Sequence, residues 1–129
     1  MEDAVGDFLW VGLGGCMGAV ARYAVALAMG QAAMQRFPWP TFAVNAAGCL
    51  AIGLLAGLST RVPVPAQLRL FLVTGLLGGF TTFSAFGLES LQLLRRGEPA
   101  LAAAYVAGSV AAGLLAVWLG WRLAGGAQA

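Results

Sequence analysis

The sequence predicts an all-α membrane protein of four transmembrane helices, and three observations carry that prediction. Of its 129 residues 60% are hydrophobic and only 9% charged, with a mean hydropathy of +0.86. The apolar residues gather into stretches close to the roughly 20 residues that cross a bilayer. Short segments rich in proline, glycine and arginine separate them. A soluble domain would carry about a quarter charged residues. The chain therefore reads as one transmembrane domain, residues 1–129, with spans at 8–29, 41–58, 70–94 and 100–123. Histidine and lysine are both missing and the net charge is +2. Imidazole acid/base and histidine-zinc chemistry are thereby excluded, and no enzyme is expected. The arginines are scattered along the chain, not gathered in a basic patch, which argues against nucleic acid as a partner.

The first span, 8–29, opens with Trp10 at interface depth and contains Gly14-Gly15-Cys16-Met17-Gly18, whose glycines four apart allow close helix approach. Arg22 lies well inside it. Such an arginine costs about 2.5 to 3.5 kcal/mol on insertion scales unless it snorkels to the interface or faces water; both readings stay open. Residues 31–40 read as a polar loop, with Pro38 and Pro40 fixing an extended turn. The second span, 41–58, places Thr41, Asn45 and Gly48 on one face and carries a second glycine pair, Gly53 and Gly57. An amide in hydrocarbon needs partners, so Asn45 either bonds a neighbouring helix or presents its NH2 to a passing solute.

Within the third span, 70–94, lies Gly75-Leu76-Leu77-Gly78-Gly79-Phe80-Thr81-Thr82-Phe83-Ser84-Ala85-Phe86. Glycines and hydroxyls at mid-membrane predict irregular backbone, and such backbone survives there only when buried in protein or lining a polar cavity. Thr81 and Thr82 could instead back-bond to the preceding helical turn. Phe83 and Phe86, three apart, could be a simple packing pair. Glu89, late in the span, reads as a carboxylate meeting a neighbouring helix or interfacial water. The fourth span, 100–123, carries Tyr105 and Ser109 one turn apart, a small-residue seam of Ala103, Ala107 and Ala111, and Trp118, Trp121 and Arg122 as interface anchors. The tail, 125–129, reads as disordered.

Because loops alternate sides, Arg36, Arg95 and Arg96 fall on one side and Arg61, Arg69 and Arg122 on the other. With no arginine bias to orient it, the chain is expected to insert both ways. The small-residue seams on its helices invite another subunit, so an antiparallel, dual-topology homodimer is expected. In it two interrupted third helices would meet at mid-membrane, with carbonyls converging as ligands for a hard monovalent cation.

These residues resemble the small dual-topology fluoride channels known as Fluc or CrcB. The likeness spans nearly the whole chain. It rests on Gly14-Gly15-Cys16-Met17-Gly18-Ala19-Val20-Ala21-Arg22-Tyr23, on Pro40-Thr41-Phe42-Ala43-Val44-Asn45 with Gly48, and above all on Gly78-Gly79-Phe80-Thr81-Thr82-Phe83-Ser84-Ala85-Phe86. The resemblance implies a fluoride-selective channel that exports fluoride passively and lowers its level in the cytoplasm. It also implies a multi-pass protein of the cell (inner or plasma) membrane whose partners are fluoride, the bilayer and a second copy of itself. A structural sodium ion would be held by the main-chain carbonyls of Gly78 and Thr81 from each subunit. Phe83 and Phe86 would line the pore, Asn45 would donate to fluoride, Ser84, Tyr105 and Ser109 would add polar groups near the path, and Arg22 would belong to the vestibule. Ala85, where many relatives have threonine, departs from the pattern; a modest effect on conduction is expected.

The runner-up is a small multidrug-type, proton-coupled exporter, which also has four spans and dual topology. It needs a membrane-embedded carboxylate, and Glu89, the one acid inside a span, lies late in the third span. A non-transporting assembly subunit would leave the Thr81-Thr82-Phe83-Ser84 stretch without purpose.

Overall fold

The computed structural model describes residues 2–125; Met1 and residues 126–129, which hold most of the expected disordered tail, lie outside the described residues. Those described are helices joined by short turns, with no strand among them. In chain order they are α1 (Glu2–Met29), the single turn α2 (Ala32–Gln35), α3 (Trp39–Ser59), α4 (Ala66–Arg69), a π-helical segment (Leu70–Leu77), α5 (Gly78–Phe80), α6 (Phe83–Arg95) and α7 (Pro99–Leu123). Four stretches are long and apolar enough to cross a membrane: Ala4–Met29, Trp39–Ser59, Ala66–Arg95 and Pro99–Leu123.

Proline and glycine set the helix ends. Pro40 and Pro99 lie in the first turns of α3 and α7, where a missing N–H costs nothing. Residues 31–40 are thus not a plain loop: they contain α2 and give their last two residues to α3. Gly30 and Gly97 adopt φ of 74° and 77° just after α1 and α6, a left-handed geometry that glycine reaches without a Cβ penalty. Arg96 donates to the Gln35 carbonyl at 3.0 Å, so the α6–α7 turn lies beside the segment before α3. At the opposite end Arg61 donates to the Gly125 carbonyl at 3.2 Å.

Two close helix pairs build the fold, α3 with α7 and α1 with the π-helical segment. Both depend on missing Cβ atoms. A methyl at Gly53 would overlap the Val117 backbone, and one at Gly120 would overlap the Leu50 carbonyl. Likewise a methyl at Gly14 would meet the Phe71 carbonyl, one at Gly18 the Leu76 carbonyl, and one at Gly79 the Gly15 carbonyl. This corrects one sequence expectation: the glycine pairs of the first and second spans are consumed within the chain and do not wait for another subunit. The seam of Ala103, Ala107 and Ala111 stays exposed.

Leu93, Ala102 and Tyr105 form a buried cluster where α6 meets α7, closed by Phe37, Phe42 and Phe86. Phe37 meets Tyr105 edge-on at 5.2 Å, and Phe86 lies 5.2 Å from it on another side, separations at which aromatic pairs attract. Between α5 and α6 the backbone leaves helical geometry. Thr81 has φ −84°, ψ 161° and Thr82 φ −152°, ψ 117°, both extended.

Candidate functional site: a donor-lined cavity beside two extended threonines

A cavity of about 390 Å³ lies between α3, α7 and the third span. Of the residues read as functional from sequence, Asn45, Gly78, Thr81, Phe83, Phe86 and Ser109 line it. Ser84, Tyr105 and Arg22 do not. α3 contributes positions 45, 48, 49 and 52, one face of a helix by spacing. Among the described residues the lining holds no charged side chain.

The polar groups are placed by two threonines and an amide. The Thr82 N–H donates to Asn45 Oδ1 at 2.8 Å, and Asn45 Nδ2 donates to the Thr82 carbonyl at 3.1 Å. Asn45 therefore bonds a neighbouring element, and the second hydrogen of its NH2 remains for another acceptor. Thr82 Oγ1 accepts the Ala85 N–H at 3.2 Å, capping α6, and lies 3.4 Å from the exposed Ser84 hydroxyl. Thr81 follows the back-bonding pattern, its hydroxyl donating to the Leu77 carbonyl at 2.9 Å. In an uninterrupted helix the Thr82 N–H would bond the Gly78 carbonyl and the Ala85 N–H the Thr81 carbonyl. Both donors are diverted here, which takes the α-helical partners from those two carbonyls.

Ser109 Oγ is buried without a hydrogen-bond partner among the described residues. A buried hydroxyl in that state costs about 1–3 kcal/mol unless something polar visits it. Phe83 and Phe86 stand 5.5 Å apart with planes inclined at 40°. Phe86 packs inward against Tyr105, whereas Phe83 is 83% exposed. Arg22 is half-buried on α1 with no carboxylate partner among the described residues.

The Glu89 carboxylate meets neighbouring helices, one of the two surroundings its place late in the third span predicts, although its partners could not be named from spacing. Glu89 accepts hydrogen bonds from Thr41 Oγ1 at 2.7 Å and from the Tyr105 hydroxyl at 2.6 Å, tying α6 to α3 and α7. Tyr105 is fully buried, donates its hydroxyl proton to Glu89 and is not among the residues that line the cavity. The one signal was three polar residues in separate apolar spans.

Among the described residues no group of three or more His, Cys, Asp or Glu side chains gathers as a metal site. A cation here would need main-chain oxygen, and the carbonyls of Gly78 and Thr81 have the right chemistry for a hard ion. Cys16 and Cys49 are free thiols, the first exposed and the second half-buried.

A family model described as CrcB-like protein, Camphor Resistance (CrcB), matches residues 9–121. The chain is 50% identical over 115 residues to a protein of Methylobacillus flagellatus named fluoride-specific ion channel FluC, covering 88% of this chain and 90% of that one. A Nitrobacter winogradskyi protein of the same name is 48% identical over 103 residues, covering 79% and 82%. One from Acidobacterium capsulatum, also so named, is 44% identical over 114 residues, covering 88% and 91%.

Proposed function

This chain belongs to the CrcB-like family, and from that premise we propose that it is a fluoride-selective channel, a multi-pass membrane protein that moves the ion without catalysing a reaction. The observation that carries the reading is the cavity itself, lined by donors and phenyl rings and by no fixed charge. Fluoride is small and strongly hydrated, so it enters a narrow path only where hydrogen-bond donors replace its water. The free hydrogen of the Asn45 amide and the unpartnered Ser109 hydroxyl supply them. The electropositive edges of Phe83 and Phe86 touch the anion without trapping it as an arginine would. Weak contacts at several points let the ion leave as easily as it arrives. With no nucleotide-binding motif in the chain, flow follows the electrochemical gradient, and an inside-negative membrane drives the anion outward. Ser84 at the extended pair contributes at the edge of the path, Tyr105 from behind it through Glu89, and Arg22 at the vestibule.

The working unit we propose is an antiparallel homodimer of a broken third helix and its symmetry mate. Phe83 is exposed beside the extended pair, at the open side of the cavity it helps to line. A second copy laid there would cover the ring and close the open side of the cavity. The balance of arginines between the two ends supports insertion both ways. At the two-fold axis the Gly78 and Thr81 carbonyls of both subunits would hold a structural sodium ion, whose charge would pin the two breaks together. The donor set fits such an ion, since each carbonyl has lost its α-helical N–H.

An exporter of the multidrug type finds no support: Glu89 is engaged by two hydroxyls, and the relatives are named as channels. The test is growth of a fluoride-sensitive bacterium that lacks its own fluoride exit route. Expressing this chain should restore growth in fluoride medium; no rescue by protein that is folded and in the membrane would count against the reading.

A further inference from the structure

We infer that Asn45 and Gly48 of α3 are positioning residues that impose the extended conformation on Thr81 and Thr82, and so keep the Gly78 and Thr81 carbonyls free for the cation. The inference rests on the sodium reading above.

Nothing in the two threonines themselves compels them to leave the helix. Neither is proline, neither has a positive φ, and the preceding Gly78 is helical at φ −61°, ψ −39°. Threonine back-bonded to the previous turn is at home in a membrane helix, and Thr81 makes that bond. A helix running straight through would satisfy every peptide group at no cost in partners, which is the default inside a bilayer. Something outside the segment must outcompete it.

α3 supplies that competitor at two points one turn apart. Asn45 offers both an acceptor and a donor and engages Thr82 through the two peptide groups that flank it, its Oδ1 accepting from the N–H and its Nδ2 donating to the carbonyl. This replaces the bond Thr82 would have given to Gly78 and, by holding the peptide groups on both sides of the Thr82 Cα, restrains its φ and ψ to the extended values. Gly48, three residues on, leaves a space that the Thr81 methyl occupies; a Cβ there would overlap Thr81 Cγ2. The Thr81 hydroxyl is held by Leu77, so this side chain cannot turn its methyl elsewhere without losing that bond. The amide clamps one residue of the pair and the glycine receives the other. The break is therefore moulded by the neighbouring helix. The Thr82 hydroxyl then takes the Ala85 N–H, and the Thr81 carbonyl is released in turn.

The experiment measures the thermal unfolding midpoint of the intact protein in detergent, with sodium chloride titrated against N-methylglucamine chloride at constant ionic strength. For the native sequence sodium should raise the midpoint, with the logarithm of its concentration once the site is mostly occupied, because an ion bound to the folded state alone stabilises it. Absence of that response would sink the sodium reading itself. Given the response, Asn45→Ala should demand about 10- to 100-fold more sodium for the same shift, the range seen when groups that orient metal ligands are removed. An unchanged sodium titration in Asn45→Ala would overturn the inference while leaving the sodium reading intact. Gly48→Ala provides the second arm, readable even if Asn45→Ala fails to fold. It should lose the sodium response, and adding Thr81→Ser, which removes the offending methyl and keeps the hydroxyl, should restore it. No restoration in the double variant, or a normal response in Gly48→Ala alone, would equally refute the moulding role.

Discussion

Phe83 and Phe86 share a sequence spacing and a side of α6, yet they live in different surroundings. Phe86 is packed on Tyr105 of the same chain; Phe83 projects outward at 83% exposure. Replacing either with isoleucine keeps apolar bulk and removes the ring edge. If an edge contact is worth about 1.4 kcal/mol to the ion in transit, flux should fall roughly tenfold. The measurement is fluoride efflux from proteoliposomes beside size-exclusion of the same variant, which should still elute as the native assembly. A dissociated Phe83→Ile protein would mean that this ring holds subunits together and does not meet the ion. At this scale much of the site was legible. Asn45, Ser109 and the threonines stand out because a polar group in an apolar span needs a reason. The partners were not legible: Thr41, Glu89 and Tyr105 come from three helices, and nothing local to any of them announces the other two.

Among the elements, the glycine contacts make the sharpest predictions. Gly18 of α1 faces the Leu76 carbonyl so closely that any Cβ must displace backbone, while Gly12 on the same helix has open space around it. Gly18→Leu should therefore destabilise the protein by about 1–3 kcal/mol or more, since rigid backbone gives way less than a side chain. Gly12→Ala should leave stability unchanged or raise it by up to about 1 kcal/mol, since alanine is the better helix former and meets nothing there. Unfolding midpoints in detergent decide between them, and equal tolerance at both positions would contradict the packing. The four spans were readable because hydropathy registers the crossing itself. Helix ends were less so: α1 starts at Glu2, ahead of its apolar stretch, because helical hydrogen bonds do not stop where hydrophobic residues do. The widened turns of Leu70–Leu77 left no mark in a run of uniformly apolar residues. The glycine pairs were visible, but spacing alone does not say whether the surface they meet belongs to the same chain.

For the whole molecule, dual insertion and fluoride selectivity are separate claims with separate tests. A single cysteine introduced as Gln31→Cys in a background lacking Cys16 and Cys49 sits at the end where Arg96 meets Gln35. With both orientations present, an impermeant thiol reagent should label about half of the protein from each side of the membrane, because balanced arginines give neither orientation an advantage. Labelling from one side alone would exclude an antiparallel pair. Selectivity means that the donor-lined cavity beside the two extended threonines should pass fluoride and little else. Anion efflux from proteoliposomes, loaded in parallel with fluoride or chloride and followed with ion-selective electrodes, tests it most directly. Fluoride should be lost rapidly while chloride is retained; comparable loss of both anions, or of neither, would rule out a fluoride-selective path.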